Sequence, residues 1–146
     1  MQPLSAPWVM KFDYTRTTGP VIGRFLAGLR ERRIEGLRGA DGRVVVPPTG
    51  YDPTTSERAD AWVEVGTVGT VASWSWVPAP LETQPMQRPF AWALIRLDGA
   101  DTNLLHVVDA GDPAAMSTGM RVRVRWADQP RGHISDIAWF EPVTDA

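Results

Sequence analysis

The chain has 146 residues, enough for one domain of ordinary size, and its 43% hydrophobic and 22% charged residues are typical of a folded globular protein. It has no cysteine, which excludes disulfides, thiolate nucleophiles and cysteine-ligated metal sites, and its net charge of −2 argues against a protein built to neutralise nucleic acid phosphates. Its apolar runs are shorter than a membrane span, and the N-terminus lacks the pattern of a signal peptide, so we expect a cytoplasmic protein.

The first 36 residues are predicted to form an irregular arm followed by one helix. Residues 1–19 contain Pro3, Pro7 and Gly19, and the arm could pack onto another surface through Trp8, Val9, Phe12 and Tyr14. A helix is predicted over residues 20–34, because Pro20 suits a first turn and Thr17 or Thr18 can cap it. The apolar stripe of this helix could pack on the chain's own barrel or dock on a partner, and we expect the second. The stripe consists of Val21, Ile22, Phe25, Leu26 and Leu29.

The rest of the chain divides into a loop-rich segment and a series of strands. Residues 37–60 are rich in glycine, proline and aspartate, and only Val44–Val46 resembles a strand. From residue 61 the pattern alternates, with a bulge or turn at Gly66 and Gly69. Further strands are predicted at 90–97, 103–108, 121–126 and 134–140. About five strands with one long connection over residues 61–146 predict a small closed barrel of the oligonucleotide/oligosaccharide-binding type, the OB-fold.

The order of these elements resembles a known family. The resemblance is carried by the segments RFLAGLRERRIEGL, DGRVVVPP and WVEVGTVGTVASWSWV and by the closing pair GMRVRVRW and IAWFEP. In this order they resemble, over roughly residues 20–142, the OB-fold acyl-CoA-associated proteins, long classed as a domain of unknown function. The resemblance implies a mainly β fold, a five-stranded OB-fold barrel preceded by an N-terminal helix and a rubredoxin-like ribbon. The predicted units are the arm and helix (1–36), the ribbon-like segment (37–60) and the barrel (61–146).

The ribbon departs from the family pattern at its metal ligands. In the family two Cys-x-x-Cys knuckles hold zinc, and by position they fall here on Arg38 and Asp41 and on about Asp52 and Thr55. These side chains cannot form a tetrahedral thiolate site, so we expect a degenerate, metal-free ribbon that binds no zinc and no other cofactor. A salt bridge from Arg38 to Asp41 or Asp52 is a possible partial substitute.

The resemblance also implies a function. Members of the family associate with thiolases or thiolase-like enzymes, some are fused to or paired with enoyl-CoA hydratases, and an actinobacterial set serves the breakdown of steroid side chains as CoA thioesters. The chain is therefore expected to be a non-catalytic accessory subunit bound to a thiolase-like retro-aldolase or thiolase, with CoA present only in the partner's substrate. Two alternatives stay open: a single-stranded nucleic-acid-binding OB module, and the C-terminal domain of an enoyl-CoA hydratase subunit.

The candidate residues fit a binding role better than a catalytic one. His106 lies in phase with core positions and is expected to be structural, and His133 and Asp136 lie too close in sequence for a specific triad. Trp74 and Trp76 share a strand face and either belong to the core or anchor an interface. Three arginines share the face of another strand and could meet a partner, a CoA phosphate, solvent or nucleic acid. They are Arg121, Arg123 and Arg125.

Overall fold

The computed structural model describes residues 3–144. Within that range one α-helix precedes eight strands, and residues 3–18, here called the arm, form neither helix nor strand. The elements are α1 (Gly19–Arg30), β1 (Ile34–Arg38), β2 (Val44–Val45), β3 (Ala61–Val65), β4 (Val68–Val77), β5 (Phe90–Leu97), β6 (Leu104–Val108), β7 (Arg121–Trp126) and β8 (Ile137–Pro142), with short 3-10 helices at Pro113–Ala115 and Ile134–Asp136. No helix among residues 3–144 is long and apolar enough to span a membrane.

Five strands close into the predicted barrel, in the order β4-β5-β6-β8-β7. Their alternating apolar residues point inward. In β5, Ala91, Ala93 and Ile95 are buried, and each is followed by a residue that is half-buried (Trp92) or exposed (Leu94 and Arg96). All neighbouring pairs are antiparallel except β6 and β8, which run parallel and pair only at Val108 and Phe140. The fold is therefore mainly β with an OB-fold barrel, as the sequence predicts.

A second, smaller sheet precedes the barrel along the chain. The sequence does not predict its central strand. The order is β2-β1-β3, with both pairings antiparallel. The helix predicted over 20–34 ends at Arg30, because Arg32 adopts a left-handed φ of 59° and the Arg33 N–H turns back to the Gly28 carbonyl. The chain then continues as β1. The strand β3, which follows the predicted boundary at residue 61, pairs with β1 and not with a barrel strand.

The ribbon-like segment is held by a carboxylate. Asp52 is buried and accepts hydrogen bonds from the backbone N–H of Thr54 at 2.7 Å, of Thr55 at 3.1 Å and of Ala40 at 3.0 Å. The bonds from Thr54 and Thr55 fix the second loop, and the bond from Ala40 joins it to the first. A Cβ on Gly39 would lie 1.9 Å from Asp52 Oδ2, so only glycine fits beside this carboxylate.

In the same segment, the salt bridge predicted from Arg38 to Asp41 or Asp52 does not form. The Arg38 guanidinium donates to the carbonyl of Gly42 at 2.9 Å, and Asp41 accepts from the Arg43 N–H at 3.0 Å. Both oxygens of Asp52 accept from backbone donors, and Arg38 is a cation that donates, so the four knuckle positions do not supply a set of zinc ligands. The donor set therefore does not fit zinc, and the metal-free ribbon stays a prediction with a structural reason.

Candidate functional site

The helix stripe does not form the surface that the sequence suggests. Phe25 is 3% exposed and Leu29 0% exposed, both within the main hydrophobic core, and Leu26 packs against that core half-buried. We expected these residues to dock on a partner, and the structure corrects that expectation, because the small sheet and the loop before β8 supply the surface that covers them. Val21 is half-buried and Ile22 is exposed, so the start of α1 keeps an apolar outer surface.

The two tryptophans of β4 are half-buried. Trp74 and Trp76 pack against the main core of the barrel, and the serines between and before them are exposed. The structure thus favours the core interpretation for their inner surfaces. Their outer parts remain accessible, and an interface role for them stays a prediction.

Two of the three arginines on β7 are already paired. Arg121 donates to both carboxylate oxygens of Asp98, at 2.8 Å to Oδ1, and to the Thr70 hydroxyl at 3.0 Å. The Arg121 guanidinium lowers the pKa of Asp98 by this hydrogen bond. Arg123 pairs with Glu141 at 2.9 Å, whereas Arg125 has no salt bridge within residues 3–144. A stripe whose charges are largely compensated is a weak site for phosphates.

The residues that could carry acid–base chemistry serve the local fold. Asp136 is buried and accepts from the backbone N–H of Arg131, Gly132 and His133. Burial raises its pKa, and these three N–H groups together outweigh burial and lower it. His133 caps the 3-10 helix before β8 by accepting from the Ser135 N–H. Among residues 3–144, no group of three or more His, Asp or Glu side chains is placed to hold a metal ion.

His106 is buried and incompletely hydrogen-bonded. It is 8% exposed, packs edge-on against Phe140 at 5.5 Å between ring centroids, and its Nδ1 has no hydrogen-bond partner within the described residues. Burial lowers its pKa, and the backbone groups of Val107 and Ile134 offset this only in part. The structural role predicted for His106 agrees with its position in the barrel wall.

An apolar groove of about 740 Å³ lies on the β5–β6 side of the barrel. It opens between the proline-rich connection before β5 and the loop before β8, which is the position where OB-folds bind oligonucleotides. Its rim cation, Arg88, is paired with Asp109 and lies 5.0 Å from the ring centre of Trp139. The groove is lined mainly by apolar side chains, among them Met86, Trp92, Leu105, Ile134 and Trp139. Such a lining does not suit a polyanion.

The arm carries the largest exposed apolar side chains of the described chain. Leu4, Trp8, Val9, Met10, Phe12 and Tyr14 are between 58% and 105% exposed. The arm ends at Thr18, beside a second pocket of about 640 Å³ lined by Val21, Ile22, Tyr51 and Trp62. Arg24 stacks on Trp62 at 4.2 Å from the ring centre and pairs with Glu35 at 2.9 Å. The arm and this pocket are together called the N-terminal surface here.

Comparison with known proteins supports the fold. Residues 62–127 match the family profile described as ChsH2, C-terminal OB-fold domain. The matched residues include four of the five barrel strands and are similar to that OB-fold domain. Comparison with curated proteins gives no significant match.

Two solved structures are similar in fold to this chain. One is a protein of unknown function from the DUF35 family of Sulfolobus solfataricus, 24% identical, with a TM-score of 0.59 over 73% of this chain and 78% of that chain. The other is named Ltp2-ChsH2(DUF35) aldolase, 22% identical, with a TM-score of 0.61 over 82% of this chain and 91% of that chain. At these identities the two structures support the fold.

Sequence reasoning missed the N-terminal surface as a unit. The aromatic residues of the arm are visible in the sequence, but Tyr51 and Trp62 lie far from them along the chain. Only the antiparallel pairing of β1 with β3 brings Trp62 beside the start of α1. The strand periodicity of the arm is the signal that could have indicated this surface.

Proposed function

We propose that the chain is a non-catalytic accessory subunit of a thiolase-superfamily enzyme, a thiolase or retro-aldolase, that acts on acyl-CoA and in particular on steroid side-chain CoA thioesters. The observation that carries the proposal is the match of residues 62–127 to the ChsH2 OB-fold domain. The structural relative named Ltp2-ChsH2(DUF35) aldolase supports it, since that name joins a ChsH2 protein to Ltp2 in an aldolase.

The site geometry agrees with a binding role. The buried carboxylates Asp52 and Asp136 accept hydrogen bonds from backbone donors, and the buried imidazole of His106 packs against Phe140 in the barrel wall. In contrast, the N-terminal surface leaves several large apolar side chains in water. Contiguous apolar surface of this kind marks interaction sites in folded proteins. The chain therefore stabilises a partner, and the partner supplies the catalytic groups.

Co-expression with an identified aldolase of the thiolase superfamily from the same genome, followed by purification of the complex, tests the proposal. We expect a stable complex on size-exclusion chromatography and a faster retro-aldol cleavage than with the enzyme alone. His133→Ala and Glu64→Gln, both at exposed positions, should leave the activity of the complex unchanged within a few-fold. Loss of turnover in an intact complex carrying either change would place chemistry on this chain and contradict the proposal.

The two alternative functions differ in their support. The family description makes the OB-fold a C-terminal domain, which favours a role as the C-terminal domain of an enoyl-CoA hydratase subunit as the second candidate. Binding of single-stranded nucleic acid has less support, because Arg88, Arg121 and Arg123 are paired with carboxylates. A sub-micromolar affinity for single-stranded DNA at physiological salt, lost in Trp92→Ala, would favour that alternative.

A further inference from the structure

The arm has the periodicity of a β-strand. Large apolar side chains occupy every second position from Trp8 to Tyr14, and Val9, Lys11 and Asp13 lie between them. In an extended chain residues i and i+2 point to the same side, so one face of the arm is continuously apolar. That face consists of Trp8, Met10, Phe12 and Tyr14.

The contacts of the arm agree with an extended chain. The Nζ of Lys11 lies 4.0 Å from the Oδ1 of Asp13, which places these two side chains on the same side, opposite the apolar face. No residue from 3 to 18 adopts a left-handed φ, and Thr18, directly before α1, is already helical. The arm thus has the side-chain alternation of a strand, although it forms no strand within the described chain.

The arm pairs with no strand within the described chain. Trp8, Met10, Phe12 and Tyr14 are 78%, 58%, 74% and 78% exposed. The backbone of residues 7–15 takes part in no strand pairing among residues 3–144. An exposed strand with free N–H and C=O groups and one apolar face is the type of segment that adds to the open edge of another sheet.

We infer that residues 7–15 bind the partner enzyme by β-augmentation, as a strand added to an open sheet edge that has an apolar strip beside it. The inference rests on the proposed function, because it identifies the partner as the aldolase. Large aromatic side chains bury about 150–250 Å² each, so Trp8, Phe12 and Tyr14 together supply roughly 450–750 Å², and Met10 adds to this area. A typical specific interface needs about 800 Å² from each partner, and the pocket beside Ile22 and Tyr51 supplies further area.

Within residues 3–144 the sheets offer no edge as long as the arm. The barrel is closed, and the outer strands of the small sheet are two residues (β2) and five residues (β3) long. The backbone at β2 and directly after it is also occupied, since the N–H of Val44 donates to Asp101 and that of Val46 donates to Thr102, both at 2.8 Å. A strand of residues 7–15 is longer than either edge, so a sheet of the partner is the better template.

Side-chain substitutions on the two faces of the arm test the inference. The affinity of the full-length chain for the immobilised, purified aldolase is measured by surface plasmon resonance. Trp8→Ala and Phe12→Ala, on the apolar face, should each weaken binding about thirtyfold, the effect of an interface anchor. Val9→Ala, a matched control on the opposite face, should change binding by about twofold or less.

Proline substitutions test the backbone pairing directly. The N–H groups of two adjacent residues in a strand point to opposite edges. An added strand therefore donates only one of any two adjacent N–H groups to the sheet that it joins. Proline removes the N–H donor and tolerates an extended backbone. Met10→Pro and Lys11→Pro are each compared with alanine at the same position. One proline should weaken binding about tenfold beyond its alanine control, and the other should match its control.

The outcomes separate this inference from the function on which it rests. If the complex forms but no arm variant weakens it, or if both prolines behave alike, β-augmentation by the arm is wrong and the accessory function stands. If the unaltered chain does not bind the aldolase, the proposed function fails and the inference fails with it. If the chain self-associates without the aldolase and removal of residues 1–16 makes it monomeric, the strand pairs with a second copy, which also overturns the inference.

Discussion

The helix α1 and the arm present the same kind of sequence with opposite results. Each has a phenylalanine in an apolar stripe, yet Phe25 in α1 is 3% exposed and Phe12 in the arm is 74% exposed. The stripe of α1 repeats with helical spacing and meets the small sheet and the loop before β8. The stripe of the arm repeats every second residue and meets no strand within the described chain. An apolar stripe thus marks an interface when the chain lacks a complementary surface for it, and the stripe alone does not reveal which case applies.

The same substitution in the two regions should give the largest contrast. Phe25→Ala leaves a cavity in the main core and should lower the free energy of unfolding by about 3–5 kcal/mol. Phe12→Ala removes a side chain exposed to solvent and should change it by about 0.5 kcal/mol or less. Urea denaturation followed by circular dichroism measures both. Equal effects of the two changes would contradict the structural distinction between helix and arm.

A second contrast concerns the ribbon-like segment, which lies between the helix and the barrel. Asp52→Asn should destabilise the loops around residues 39–42 and 52–57, because a neutral amide offers only one acceptor to three backbone donors. Hydrogen exchange of the Ala40, Thr54 and Thr55 amides should accelerate while exchange in the barrel stays slow. Slow exchange of these amides in the variant, or about one zinc per chain in the unaltered protein by elemental analysis, would contradict a carboxylate-held ribbon.

The pH dependence of this region has a defined sign. Hydrogen bonds from Thr54, then Thr55, lower the pKa of Asp52, so the folded state binds fewer protons than the unfolded state near the ordinary pKa of about 4. The stabilisation is present above that pH and is lost as the pH falls through the lower folded pKa. Denaturation midpoints between pH 5 and pH 2 should therefore fall less steeply in Asp52→Asn than in the unaltered chain.

His106 in the barrel should make the stability depend on pH near neutral pH as well. Burial lowers the pKa of His106, so below about 6.5 the unfolded chain binds a proton that the folded chain does not. Stability should decline from pH 7 to pH 5, by at most about 1.4 kcal/mol per pH unit from this group. His106→Phe keeps a ring against Phe140 and should flatten this decline. An unchanged pH profile in the variant would show that His106 titrates normally.

The barrel was predictable from the sequence because its strands alternate cleanly between turn residues. The bounds predicted for β5 and β7 agree with the structure. The strand β1 was not predictable in this way, since Ile34 and Leu37 also fit the end of a helical stripe and Gly36 weakens a strand pattern. The reversal at Arg32, a non-glycine residue with positive φ, is a tertiary effect that propensity does not indicate.

The candidate site was less predictable than the fold. Charge pairing decides whether an arginine stripe can bind anions, and Asp98 and Glu141, the partners of Arg121 and Arg123, lie on other parts of the chain. The burial of Phe25 and Leu29 likewise depends on β1, which the sequence did not reveal. Residues distant in sequence determine both results, so the spacing of the stripes could not supply them.

Hydrogen exchange of the chain alone and in the presence of the purified aldolase tests the central claim most directly. The account predicts rapid exchange across residues 7–15 in the free chain and protection of alternate amides there in the complex, with the amides of α1 slow in both states. New protection confined to α1, or an arm that exchanges equally fast with and without the aldolase, would contradict it.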